Sequence, residues 1–220
     1  MAPSVDGRIV VDGWPVLREL TSEYERIAAS LDADAWIIGR ISMEPYAGRA
    51  RIPAARGKPS VPRGDFIVRA DAPSYAIAID PAGKLQWEAG SIDEEHVVAV
   101  LTEQVTDRYL AFLRAQGVSY LFGGKKRIDL ATVLRKPRSR FGIRRLLLEG
   151  GGKINGSFLS ADLIDELSLL LVPVADGGMA TPTLFDAVEG PGPSRRLRLL
   201  RVERRPGNLL WVRYRVARTA

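Results

Sequence analysis

An acid and three consecutive glycines, Glu149-Gly150-Gly151-Gly152, join the apolar run Leu146-Leu147-Leu148 to Lys153-Ile154-Asn155-Gly156-Ser157-Phe158-Leu159, which reads as a helix. Glycines admit positive φ and let a backbone approach a ligand closely, while the N–H groups and positive dipole end of a helix start attract an anion. The junction therefore suits a phosphate held at Gly150, Gly151 and Gly152, with the amides of Lys153 and Ile154 beside it and Glu149 as polar chemistry at the same mouth. It is not a Walker loop, which ends Gly-Lys-Ser/Thr. Asn155 also stands where the third glycine of a Gly-x-Gly-x-x-Gly pattern counted from Gly150 would fall. A purely structural strand-to-helix turn would use the same residues.

Few other residues offer chemistry. The absence of cysteine removes disulfides, thiolate nucleophiles and cysteine-rich zinc sites, and no metal site is expected. His96 is the only histidine; in Asp93-Glu94-Glu95-His96-Val97 it reads as a solvated residue at a strand edge, with no nucleophile motif near it. The net charge of +6 raises nucleic acid as a partner. Its distribution argues otherwise. Arg49, Arg51, Arg56, Lys58 and Arg63 fall in a Pro/Gly/Ala-rich segment, and a second excess runs from Arg195 to Arg218. Neither interleaves aromatics in the manner of a single-strand platform, so a small anionic substrate and a solvated basic surface account for both. No apolar run is long enough to cross a bilayer, and the start lacks a basic region followed by an apolar one, so neither membrane nor signal peptide is expected and cytoplasmic residence is the default.

The elements that must position the junction follow from periodicity. Leu17, Leu20, Tyr24, Ile27 and Leu31 share one face of a helix whose start is set either by Pro15 or by a Ser22/Glu25 capping box. Ala33 to Arg40 reads as a short buried strand, the second of a βαβ unit. From Ser42 to Asp65 the hydrophobic period is lost and a long basic loop at about 43–65 is expected, functional or disordered. Strands follow at 75–80 and 96–101, a helix at 105–116, a strand at 118–122, a helix through 128–134, the strand 143–148 and the helix 154–161. The pattern then changes to a strand at 167–173, a surface connection at 186–195 and two strands about the turn Arg205-Pro206-Gly207-Asn208. This order predicts an α/β fold in one domain over 1–220: a mostly parallel central sheet flanked by helices, closed by a C-terminal antiparallel hairpin.

Three stretches together resemble the reductase domain of riboflavin biosynthesis, the C-terminal domain of the bifunctional deaminase/reductase, which has the dihydrofolate-reductase-like fold. They are Arg145 through Gly152 with Asn155 to Leu159, continued by Leu163-Ile164-Asp165-Glu166-Leu167 and Val172-Pro173; Ser4-Val5-Asp6-Gly7-Arg8-Ile9; and Asp34 to Ser42 with its Gly39-Arg40 turn. The resemblance covers most of the chain. It implies NADPH, with NADH left open, bound through Gly39, Arg40, Ser42, Gly150, Gly151, Gly152, Lys153 and Ile154. Gly39 would free the backbone, Arg40 would offer a guanidinium fork, and Gly150-Gly151 is the candidate for a cis peptide.

The activity implied is reduction of the ribosyl chain of 5-amino-6-(5-phosphoribosylamino)uracil to ribityl. Asp6 and Glu149 are the catalytic candidates, and Ser4, Asp6, Asp65 and Glu149 the substrate-binding ones. Asp6 also fits a tight Asp-Gly turn, and Glu149 a residue bonding its own loop. Cofactor choice turns on Asp80, an acid that would favour NAD, against Lys84, which favours NADP, with Thr102 as a further ribose or phosphate contact. The deaminase half needs a zinc site that this composition cannot build. Reduction of another heterocycle or a pterin on the same fold, or a non-catalytic nucleotide-binding descendant, is the alternative. The resemblance further implies a homodimer through the sheet region near Leu167 to Val172, and a small phosphorylated pyrimidine as partner rather than nucleic acid. The chain reaches Ser4-Val5-Asp6 almost at once, so the family's first strand is expected to be short or truncated.

Overall fold

A computed structural model describes residues 1–15, 18–48, 52, 60–178, 181–186 and 194–218. They fall into two compact units, Met1–Asp32 with Gly150–Ala220, and Ala33–Glu149.

The second unit is built on a parallel sheet. Its strands are β1 (Ala35–Gly39), β2 (Tyr75–Ile79), β3 (Ser91–Ile92), β4 (Glu95–Thr102), β5 (Ser119–Gly124) and β6 (Leu146–Gly150). The order across the sheet is β5-β4-β2-β1-β6, with the two-residue β3 antiparallel beside the start of β4. β1, β2, β4 and β5 run parallel, registered as Ile37↔Ile77, Ile77↔Val98 and Val100↔Leu121. Every residue of β2 and all but the first of β4 are buried, which is why these strands read as unbroken apolar runs rather than alternating ones. β6 joins the far side of β1. Asp34, just ahead of β1, donates its amide to the Arg145 carbonyl (3.0 Å), and its carboxylate accepts the amides of Arg144 and Arg145 at 2.7 and 2.8 Å. The two strands therefore start side by side and run the same way. Those two amides, Arg145 before Arg144, hold the Asp34 carboxyl below its ordinary range.

Three helices belong to this unit: α2 (Arg40–Ala47), α3 (Asp107–Ala115) and α4 (Leu130–Phe141). α2 corrects the expected loop. Met43 and Ala47, one turn apart, are buried on the same face, and that burial outweighs Pro45 inside the helix, the residue that hid the element in the sequence. Of the basic segment, 49–51 and 53–59 lie outside the described residues, and with them Arg49, Arg51, Arg56 and Lys58.

The first unit holds α1 (Arg18–Ser30), α5 (Gly152–Ser160) and a three-stranded antiparallel sheet, β7 (Glu166–Leu171), β9 (Leu210–Val216) and β8 (Leu197–Arg204), in the order β7-β9-β8. Leu20, Tyr24 and Ile27 of α1 pack with Leu170, Val172, Leu209 and Trp211, so this face of the helix is the one its spacing predicts; Leu17 lies outside the described residues. Ser22 is not a cap but a residue of the helix body, donating its hydroxyl to the Glu19 carbonyl (3.1 Å). Among the described residues no strand precedes α1. The expected first strand is reduced to two isolated bridges, Ser4↔Val172 and Arg8↔Thr183. The Leu170 and Val172 amides donate to the carbonyls of Met1 (2.9 Å) and Pro3 (2.8 Å), so the chain's first residues cover the outer edge of β7. The segment Ala187 to Pro193 of the expected surface connection is not described.

Candidate functional site

In the second unit, β2, β4 and β5 lie in sequence order on one side of β1, and β6 lies on the other. The gap between β1 and β6 is thus the point at which the strand order reverses, and ligands of open parallel sheets bind outside the C-terminal ends of the strands at such a point. The sequence candidates fall at those ends. Gly39 closes β1, Lys84 follows β2, Thr102 closes β4, and Glu149 and Gly150 close β6.

Four helices start from these strand ends, and their first turns differ. α3 is capped by the Thr106 hydroxyl, which accepts the Tyr109 amide (3.2 Å); α4 is capped by Asp129, which accepts the Thr132 amide (3.1 Å). α2 and α5, which follow β1 and β6 directly, have Gly39 and Gly151 at the cap and no side-chain cap bond. Their leading amides are left for something other than the helix's own side chains. Gly150 has φ 148° and Gly151 φ 39°, so this junction requires glycine. Gly39 does not: at φ −76° and ψ 161° it is ordinary extended backbone, which corrects the freedom expected of it. The described peptide bonds are all trans, so the expected cis bond at Gly150-Gly151 is absent and the positive φ values make the turn. The Ile154 amide donates to the Gly151 carbonyl (3.1 Å), whereas those of Gly152 and Lys153 precede the first intrahelical bond.

The remaining candidates of the second unit divide by exposure. Arg40 pairs with Glu44 one turn along α2, an exposed pair of the kind that exchanges partners at little cost, and Ser42 is half-buried in the same first turn. Asp80 is fully buried, its Oδ2 accepting the amides of Lys84 (2.6 Å) and Leu85 (2.8 Å) and the Tyr109 hydroxyl (3.1 Å). The acid expected at a ribose is therefore the anchor of its own turn. Burial first, then the Asp80 charge, pushes the Tyr109 hydroxyl's pKa upward, so it stays a donor. Lys84 is exposed. Thr102 is buried and gives its hydroxyl to the Pro81 carbonyl (2.7 Å). Asp65 accepts the Phe122 amide (3.0 Å) and pairs with Lys136 (2.7 Å) and Arg140 (3.6 Å), so both oxygens tie the chain to β5 and α4. Glu149 is half-buried in the last turn of strand before the glycines.

In the first unit Ser4 and Asp6 come together. The Ser4 hydroxyl donates to Asp6 Oδ1 (2.6 Å), and the amides of Asp176 and Gly177 donate to Oδ1 (3.0 Å) and Oδ2 (2.9 Å). The hydroxyl and then these amides hold the Asp6 carboxyl far below its usual range, so this exposed group is a carboxylate at any physiological pH. Gly7 follows at φ 84°, giving the Asp-Gly turn. Asp176, fixed by the Trp14 indole (2.5 Å) and the Gly178 amide (2.8 Å), is likewise lowered. Sequence reasoning passed over it, although Asp176-Gly177-Gly178 repeats the acid-glycine signature of the main junction.

His96 corrects its expectation. It is buried in β4 between two covering strands, with Nε2 2.7 Å from the Ser119 hydroxyl, and burial first, then the charge of Arg69, lowers its pKa. Also unread in the sequence was Lys125-Lys126-Arg127, three exposed cations just past β5.

The family model of the RibD C-terminal domain matches residues 1–210, through both units. The chain belongs to the RibD C-terminal domain family. Among curated proteins, one from Methanothermobacter thermautotrophicus, named 2,5-diamino-6-ribosylamino-4(3H)-pyrimidinone 5′-phosphate reductase, is 34% identical over 94 residues, 43% of this chain and 43% of that protein. One of the same name from Archaeoglobus fulgidus is 35% identical over 81 residues, 37% of this chain and 35% of that protein. The matched stretch thus spans less than half the length of either relative. A crystal structure of a pyrimidine reductase-like protein from Corynebacterium diphtheriae superposes with a TM-score of 0.72 at 16% identity, over 99% of this chain and 90% of that one. The fold is the dihydrofolate-reductase-like one that the sequence suggested.

Proposed function

We propose that this chain is a reductase that uses a reduced nicotinamide dinucleotide to convert the ribosyl group of a ribosylaminopyrimidine 5′-phosphate to ribityl. The observation that carries the reading is the contrast among helix starts: α3 and α4 are capped by their own side chains, while α2 and α5, leading out of the two strands that flank the switch point, are not. Each of these two helix starts taken by itself, that of α2 with Arg40 and that of α5 with Lys153, lacks a side-chain cap and suits a phosphate. The named activity of the curated relatives makes the 2,5-diamino-pyrimidinone phosphate the first substrate to test and 5-amino-6-(5-phosphoribosylamino)uracil the second.

When bound, reduced nicotinamide supplies a hydride to the open-chain sugar carbon; the chain must hold the substrate and deliver one proton to the attached nitrogen. Asp6 is not the proton donor in this reading. Held ionised, with three donors already on its oxygens, it has acceptor capacity left for a substrate hydroxyl or amine and fixes orientation. Glu149 is the carboxyl proposed to pass the proton. Because Asp80 is turned inward, the charged side chain left exposed in the turn after β2 is Lys84, which favours the 2′-phosphate of NADPH over NADH.

A homodimer belongs to the same proposal, moved from β7 to β8. The outer edge of β7 is covered by Met1 to Ser4, whereas β8 is an edge strand exposing Leu197, Leu199, Leu200 and Val202.

The test is titration of the purified protein with NADPH and NADH, followed by nicotinamide fluorescence and thermal shift. Binding that is lost in Gly151→Val while the variant stays folded supports the reading; binding of neither nucleotide by the wild type overturns it.

A further inference from the structure

The two oxygens of Asp6 are not equally occupied. Oδ1 takes the Ser4 hydroxyl (2.6 Å) and the Asp176 amide (3.0 Å), while Oδ2 takes only the Gly177 amide (2.9 Å). A carboxylate has about four acceptor positions, so the one left open is on Oδ2 and suits a single O–H or N–H donor. Its direction depends on how firmly the three donors are held. Ser4 is buried and fixed by the Arg8 amide, which donates to its hydroxyl oxygen (2.9 Å). The other two donors belong to a loop.

That loop is held from both ends. Before it, the Val5 amide donates to the Val174 carbonyl (2.9 Å). After it, Gly177 at φ 67° lets the Gly178 amide fold back onto Asp176 Oδ1 (2.8 Å), which the Thr181 hydroxyl also reaches (3.3 Å). The second oxygen of Asp176 accepts the Trp14 indole N–H (2.5 Å). The Trp14 ring packs against the cluster of Ile27, Leu170, Val172, Leu209 and Trp211, so its N–H ties the tip of the loop to the core of the first unit. A continuous chain of contacts thus runs from that core through the indole to Asp176, and from the amides of Asp176 and Gly177 to Asp6.

The arrangement is not the most stable one available to a surface loop. The Asp6 charge acts against the Asp176 charge, and the donors around each carboxylate offset that repulsion. Two like charges kept side by side by so many donors fit a functional constraint better than a structural one. We propose that Trp14 and Asp176 are positioning residues for the substrate: neither touches it, and together they hold the two amides that aim the open acceptor of Asp6 at one hydroxyl or amine of the ribosylaminopyrimidine. This rests on the reading of Asp6 given above.

The test uses Trp14→Phe, which keeps the packed ring and removes the indole N–H, and Asp176→Ala, which removes its acceptor, each alone and combined with Asp6→Asn. Thermal melting confirms folding, nucleotide titration reports the cofactor site separately, and steady-state kinetics with the 2,5-diamino-pyrimidinone phosphate give KM and kcat. Each single variant is expected to raise KM for the pyrimidine about tenfold, with kcat changed by less than about twofold, because an acceptor that holds the substrate serves ground and transition states alike. NADPH affinity should stay as in the wild type. Neither substitution should lower kcat/KM further once Asp6 is replaced, since the effect runs through that carboxylate. Asp176→Asn, which keeps an oxygen for the indole, should recover most of the loss. Wild-type KM in the folded single variants, or a loss in the Asp6→Asn background as large as in the singles, overturns the assignment and leaves the reductase reading standing. A wild type that binds neither nucleotide and reduces no ribosylaminopyrimidine phosphate overturns the reductase reading itself, and the assignment with it.

Discussion

The helix starts that follow β4 and β5 and those that follow β1 and β6 solve the same physical problem differently. Each leaves amides without intrahelical acceptors. Thr106 and Asp129 satisfy them from within the chain, so α3 and α4 are complete without a ligand. Gly39 and Gly151 do not, and α5 is secured elsewhere: Gly152 and Gly156, one turn apart, let the backbone at Asp186 lie against the helix, where the Asp186 amide bonds the Gly152 carbonyl (2.9 Å) and the Asn155 amide group bonds the Leu184 carbonyl (2.9 Å). α5 is thus held by packing along its length rather than by a side-chain cap, with the Asp186 carboxylate lying close to Gly152 in its first turn.

Substitutions can break this contrast. The largest effect is expected from Gly156→Ala, whose Cβ would sit 2.0 Å from the Asp186 carbonyl oxygen, a backbone atom that cannot swing aside. Overpacking of this kind should cost about 3 kcal/mol, read as a lowered denaturation midpoint; a midpoint equal to the wild type would mean that α5 is not held by this contact. Gly39→Asp comes next. Its angles accept any residue, and the new carboxylate would cap α2 while placing negative charge where a phosphate is proposed. Nucleotide affinity should fall about tenfold with stability unchanged or slightly raised, and unaltered affinity would remove α2 from the cofactor site.

Thr106→Ala is the reciprocal experiment. Loss of this cap should lower stability by about 1 kcal/mol and leave nucleotide affinity as it was. A fall in affinity would show that the capped starts are not independent of the site. The smallest effect concerns His96, at the opposite end of β4 from these helix starts. Its pKa is lowered in the fold, so the unfolded chain takes up the proton first as pH falls. Stability contributed by the neutral ring is full above about pH 6.5 and is lost as pH drops through the lowered folded value. Denaturation at pH 7 and pH 5 should show this loss, and His96→Gln should flatten it; an identical pH slope in the variant would assign the loss to other groups.

The parallel sheet was legible because β2 and β4 are buried on both faces and therefore read as unbroken apolar runs, and the three glycines after β6 were legible because positive φ leaves little choice of residue. Burial was not. Asp80 and His96 are polar residues at the ends of apolar runs and Asp65 lies at the end of the basic segment, and only the neighbouring strands and the donors aimed at them turn them inward. α2 was hidden by Pro45, and the role of Asp6 depends on amides 170 and 171 residues away, which no local pattern carries. Lys125 to Arg127 were visible as letters, but their place at the sheet edge follows from strand order, which the sequence leaves open.

The decisive measurement is incubation of the protein with a ribosylaminopyrimidine 5′-phosphate and NADPH carrying deuterium at both hydrogens of C4 of the reduced nicotinamide, with the pyrimidine product followed by mass spectrometry and NMR. A nicotinamide-dependent ribosyl reductase gives a ribityl product with one deuterium on the former anomeric carbon. Unchanged ribosyl substrate in the presence of bound NADPH, or a reduced product without the label, would contradict this reading.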